Sequence, residues 1–148
     1  MRKIDQIIVH HAAGSYHQTM EEVRAWHKRP KADGGRGWAD IGYHYWIGSL
    51  GMRLARPVWE MGAHDGGENR ASIGICVAGN YEDGGLPVTT RWQTLIVLCC
   101  DLIRQHSLTP DDIYGHRENE PPNTPTVCPG FNPEELRIAV RNNLKLYS

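Results

Sequence analysis

The chain has 148 residues, 40% of them hydrophobic and 22% charged, with a formal net charge of -1 from 16 basic and 17 acidic side chains. These values suit one compact domain and exclude a disordered chain; two domains would each be too small to bury a good core. No apolar run approaches the roughly 18 residues of a membrane-spanning helix, so no membrane insertion is expected. The charge balance shows no basic stripe, which argues against nucleic-acid binding.

In chain order, residues 4–11 are short and rich in β-formers and read as a strand. Thr19 to Glu22 form a capping-box pattern, opening a helix that runs to about Lys28 and stops at Pro30. Residues 31–37 carry three glycines and read as a mobile loop. Residues 43–48 form an aromatic strand, 49–51 a turn, and 52–56 a return strand. The polar, glycine-rich stretch 62–71 is a loop, and the apolar stretch 72–78 has the character of a central strand covered on both faces. A second capping box is expected at Thr90 to Gln93. The apolar positions 92, 95, 96, 99, 102 and 103 after it predict a helix to about Ser107. Residues 113–115 are a short strand, and Asn132 caps a last helix with Pro133 at its first position. The order β, α, β, β, β, α, β, α implies one mixed sheet packed by helices, an α/β or α+β domain.

Four cysteines stand at 76, 99, 100 and 128, with no CxxC pair, which excludes a four-cysteine zinc ribbon and a thioredoxin motif. Cys99 and Cys100 lie in an apolar helical stretch and read as packed thiols. The N-terminal apolar stretch is short and interrupted by polar residues, so no signal peptide is expected, and the chain is expected to be made in a reducing cytosol with free thiols.

The eight histidines concentrate near strand ends and loops. His10 and His11 end the first strand, and alternation lets one of them face a given site without saying which. His116 follows the short strand, and Cys128 lies twelve residues further on, in a segment where four of the chain's nine prolines fall between 121 and 129. Prolines reduce the freedom of a loop before it folds. The residue before a proline is pushed to an extended conformation, which keeps Cys128 out of a helix. Three readings of Cys128 compete. As a nucleophile with a histidine base it would define a cysteine peptidase, although a rigid loop before proline suits that poorly. As a thiolate beside two histidines it would complete a catalytic zinc site, which needs three protein ligands and keeps one position open. As a small buried residue it would carry no chemistry. HExxH is absent, so a zincin protease has no support.

Taken together, IIVHHAAG at 7–14, WHK at 26–28, GWADIGYHYWI at 37–47, GAHDGGENRASIGICVAG at 62–79, GHR at 115–117 and VCPGF at 127–131 make a family resemblance. The chain resembles the zinc-dependent N-acetylmuramoyl-L-alanine amidases of bacteriophage-lysozyme type, which share a fold with peptidoglycan recognition proteins. The resemblance implies a single α/β domain with a central mixed sheet flanked by helices and a groove across one face, without a separate cell-wall-binding domain. It implies Zn2+ held by His10, His116 and Cys128, selecting His10 over His11. It places Tyr43 near the metal-bound water and His64 on the substrate-binding groove. The implied substrate is peptidoglycan and its muropeptides, cut between N-acetylmuramic acid and L-alanine of the stem peptide by a monomer. The expected setting is that of a phage or prophage lysin, or a delivered effector, acting on the cell wall after release. The alternative is a peptidoglycan-binding protein of the same fold without catalysis.

Two positions depart from the family pattern. Phage members often carry a lysine where this chain has Thr126; a hydroxyl there donates a hydrogen bond to the oxyanion but brings no positive charge. Relatives that recycle wall fragments carry a glutamate where this chain has Cys76, which favours the Tyr43 type of mechanism. The loop at 31–37 is longer than in the phage enzymes; it either shapes substrate choice or has no such role. Of the remaining side chains, His44 is expected to be structural, Trp26, Trp46 and Trp92 to be core, His17 and His27 to lie on the surface, and Trp38 and Trp59 to lie nearer loops.

Overall fold

The computed structural model describes residues 1–119 and 125–147. Five strands and three helices follow one another as β1 (Gln6–His11), α1 (Met20–Lys28), β2 (Tyr45–Gly48), β3 (Gly51–Leu54), β4 (Ser72–Val77), α2 (Thr89–His106), β5 (Ile113–Gly115) and α3 (Pro133–Leu146). The sheet order is β3-β2-β4-β1-β5. β2, β4, β1 and β5 run parallel, and β3 pairs antiparallel to β2 at the edge. The architecture is the single mixed sheet flanked by helices that the element order implied.

Strand alternation divides the core in two. Ile7 and Val9 of β1, Ile73, Ile75 and Val77 of β4, and Tyr45 and Ile47 of β2 pack with Leu95, Leu102, Leu136 and Val140 under α2 and α3. Trp46 and Cys76 point to the other face, where they meet Met20 and Val23 of α1 and Ile41. β1 and β4 are buried along their length because helices cover both faces. His10 shares the α1 face. His11 turns to the opposite one, where its Nδ1 accepts the Tyr81 amide at 3.1 Å.

Local chemistry set the starts of two helices. Thr19 caps α1 by accepting the Glu22 amide at 3.1 Å, and Asn132 caps α3 through the Glu134 amide at 3.0 Å. The second capping box does not form. Val88 is the N-cap of α2 without a side-chain bond, and helix geometry begins one residue before Thr90. Arg91 accounts for the difference: its buried guanidinium bonds to the carbonyls of Ala78 and Tyr16 and stacks on the Tyr16 ring, which draws the first turn inward.

Other expectations are also corrected. The aromatic strand starts at Tyr45, so Tyr43 precedes it in an irregular segment. Residues 31–37 are pinned rather than loose. They begin in a short 3-10 turn, and the amides of Arg36, Gly37 and Trp38 bond to the carbonyls of Trp26, Arg29 and His27. Arg36 lies over the rings of both Trp26 and Trp38. Trp26 is exposed rather than core, while His27 is buried rather than on the surface. Met20, Val23 and His27 form the inner stripe of α1 at helical spacing, and Trp26 falls outside it. Much of the proline-rich segment, residues 120–124, lies outside the described residues.

Candidate metal centre

The α1 face of the sheet carries the chemistry at the carboxyl end of β1. His10 is 2% exposed, and its Nδ1 lies 3.7 Å from the Cys128 Sγ. His116 follows β5 directly, in a 3-10 turn, with its ring centroid 4.6 Å from that of His10. One donor atom from each of His10, His116 and Cys128 lies within 4.8 Å of the others. The β1–β5 pairing brings the first two together. The third arrives because the Arg117 amide donates to the Cys128 carbonyl at 2.7 Å, closing the intervening segment, and because Phe131, fully buried, anchors the chain just beyond it.

The cluster suits a divalent ion of zinc type. Two imidazoles and one thiol match a catalytic zinc donor set, and tetrahedral geometry at ordinary Zn–N and Zn–S lengths puts donors about 3.6 Å apart. Burial, together with the neighbouring imidazoles, lowers the pKa of His10 well below its ordinary 6.5, so its ring is neutral and offers a lone pair. Burial pushes the Cys128 thiol up to about 12. A thiol raised this far has little thiolate at neutral pH by itself, which disfavours the cysteine-peptidase reading. A metal deprotonates a coordinating thiol outright.

Tyr43 stands 5.2 Å, ring to ring, from His10. Burial, and then the Cys76 and Cys128 thiols, raise its pKa well above 10, so the phenol keeps its proton and can donate it to a hydrogen bond. Thr126 is fixed differently: its Oγ1 accepts the Cys128 amide at 3.1 Å. His27 packs between Trp38 and Tyr43 and accepts the Gly42 amide at 3.0 Å. His44 accepts the Gly74 amide at 3.0 Å and contacts the Glu60 carbonyl at 2.8 Å, the structural role expected of it. Trp59 is exposed and lines a hollow with Tyr45, Val58 and the end of α2, which none of the cluster residues lines.

His64, expected on the groove, is buried at 8% exposure, with its Nδ1 2.9 Å from His10 Nε2 and its Nε2 3.2 Å from Ser72 Oγ. Sequence reading missed Asp65. Its carboxylate is fully buried, 3.5 Å from His116 Nε2, and accepts the Asn119 side chain at 3.1 Å. The signal available was its adjacency to His64 in a glycine-rich loop.

The fold is a mixed α/β domain with a His, His, Cys cluster at the carboxyl end of a central strand, its His10 and Cys128 buried and its His116 half-buried. Residues 1–131 match the family described as N-acetylmuramoyl-L-alanine amidase, and the chain belongs to that family. It is 32% identical over 133 residues to peptidoglycan-recognition protein SC2 of Drosophila melanogaster, covering 84% of this chain and 67% of that protein. It is 29% identical over 138 residues to the endolysin of Klebsiella phage KP32, covering 88% of this chain and 83% of that protein. Among solved structures, the N-acetylmuramoyl-L-alanine amidase LysC from Clostridium intestinale URNW superposes with a TM-score of 0.78 at 25% identity, over 95% of this chain and 87% of that one. No helix among the described residues is long and apolar enough to cross a membrane.

Proposed function

We propose that this chain is a zinc-dependent peptidoglycan amidase that hydrolyses the amide between N-acetylmuramic acid and L-alanine of the stem peptide. The observation that carries the reading is the convergence of His10, His116 and Cys128 within 4.8 Å, beside the Tyr43 ring. Zinc bound by these three supplies a Lewis acid for the scissile carbonyl and brings the pKa of a water in the open position toward about 7.

The chain's own residues do the rest. His10, His116 and Cys128 would hold the ion. Tyr43, a protonated phenol, donates a hydrogen bond where negative charge grows on the carbonyl oxygen, or orients the attacking water. Thr126 places a second hydroxyl beside Cys128 for the same charge, in place of the family's lysine. Membership of a family that includes phage endolysins and recognition proteins supports peptidoglycan as substrate and the cell wall as the place of action. The presence of all three donors, the thiol included, beside the Tyr43 phenol supports hydrolysis over binding alone.

Mass spectrometry of digested peptidoglycan tests the reading. New free amino groups on L-alanine, abolished by a zinc chelator, are expected. New reducing sugar ends, or unchanged peptidoglycan with zinc-loaded protein, overturn it.

A further inference from the structure

We infer that the consecutive pair His64 and Asp65 is the support that aims both ligand histidines, His64 taking the Nε2 of His10 so that its Nδ1 is left for the ion, and Asp65 setting its carboxylate against the Nε2 of His116. The inference rests on the metal-centre reading above.

The hydrogen bonds of His10 run in one direction. For Nδ1, which faces Cys128, to keep its lone pair, Nε2 must carry the proton and donate it to His64 Nδ1 at 2.9 Å. His64 then carries its own proton on Nε2, which donates to Ser72 Oγ at 3.2 Å. Both nitrogens of His64 are thereby used inside the protein, which leaves it no ring atom for substrate. His116 is treated in parallel by the next residue: its Nε2 faces the buried Asp65 carboxylate at 3.5 Å. A carboxylate or hydrogen-bond acceptor behind a ligating imidazole fixes its orientation and raises its basicity.

The pair is built in rather than incidental. The Asn69 side-chain oxygen accepts both amides, His64 at 2.8 Å and Asp65 at 2.9 Å, and so locks two successive peptide units. Asn119 holds the far oxygen of Asp65 at 3.1 Å. Gly74, in the neighbouring strand, makes the room: a Cβ there would stand 2.5 Å from the His64 ring. One short loop thus reaches ligands that lie 106 residues apart in the chain (10 to 116).

The test measures metal affinity on the full chain, by competition with a chromogenic chelator, together with the absorption spectrum of the Co2+-loaded protein. Asp65→Asn and His64→Leu are each expected to weaken zinc binding about 10–100-fold and to alter the Co2+ spectrum. His64→Gln, whose amide oxygen can accept from His10, is expected to recover much of the loss. Should His64→Leu fail to fold, the isosteric Asp65→Asn carries the test. Wild-type affinity and spectrum in a folded Asp65→Asn and His64→Leu overturn the inference, as does a His64→Leu chain with raised KM and unchanged zinc affinity. A wild-type chain that takes up no zinc overturns the metal-centre reading and this inference with it; zinc uptake by the wild type with unaltered variants overturns the inference alone.

Discussion

Tyr43 and Cys128 both stand against His10, and the proposed function gives them separable tasks. Cys128 is buried and faces His10 Nδ1, so its substitution should act on the ion first. Cys128→Ser is expected to lose zinc and activity together, measured by metal analysis of the purified chain; full zinc stoichiometry in that variant removes Cys128 from the donor set. Tyr43 offers a proton that burial prevents it from losing. Tyr43→Phe should therefore retain zinc and slow turnover by about 100- to 1,000-fold, the usual cost of one lost donor to a developing oxyanion. An unchanged turnover number at full zinc occupancy would take the phenol out of the chemistry.

At the scale of elements, the turn that presents His116 is held from behind by α3. Arg137, 13% exposed, reaches both oxygens of Glu118 at 2.8 and 3.0 Å and the Ile113 carbonyl at 2.9 Å. Glu118 in turn accepts the Gly115 amide at 2.8 Å, one residue before His116. Arg137→Met is expected to destabilise the fold by about 1–3 kcal/mol, because it strips partners from a charged group and a buried-strand carbonyl. Denaturant titration reads that loss, and a parallel fall in zinc affinity would show that α3 steadies the ligand. α1 makes the complementary wall: it sets His27 against Tyr43 and carries the pinned segment 31–37 on its outer side.

For the molecule as a whole, burial sets the stability of the fold against pH through His27 and His44. Burial lowers both His27 and His44 from 6.5 to about 4. Their folded-state pKa lies below that of the unfolded chain, so between pH 6.5 and 4 the unfolded chain binds more protons. Stability therefore falls as pH falls through that window and levels off below it with respect to these two groups. The thermal midpoint of the metal-free chain, measured at constant ionic strength, is expected to drop between pH 6.5 and 4. His27→Asn, whose amide oxygen can accept the Gly42 amide, should flatten part of that slope; an undiminished slope would assign it to other groups.

Read without the fold, the chain already determined its element order, the caps at Thr19 and Asn132, the covered character of β4 and, through its motifs, the candidate ligands. The elements and caps depend on short-range preferences (a hydroxyl or amide at a helix start, apolar spacing, a proline that ends a run), and the candidate ligands came from the family resemblance. The tertiary structure alone decided the rest. It buried His27 and exposed Trp26, replaced the expected capping box with the inward pull of Arg91, and set His64 and Asp65 behind two rings. The reason is that these outcomes depend on which strands become neighbours. Positions 10, 64, 65, 116 and 128 meet because β1 lies between β4 and β5, a long-range pairing that no local window of residues encodes.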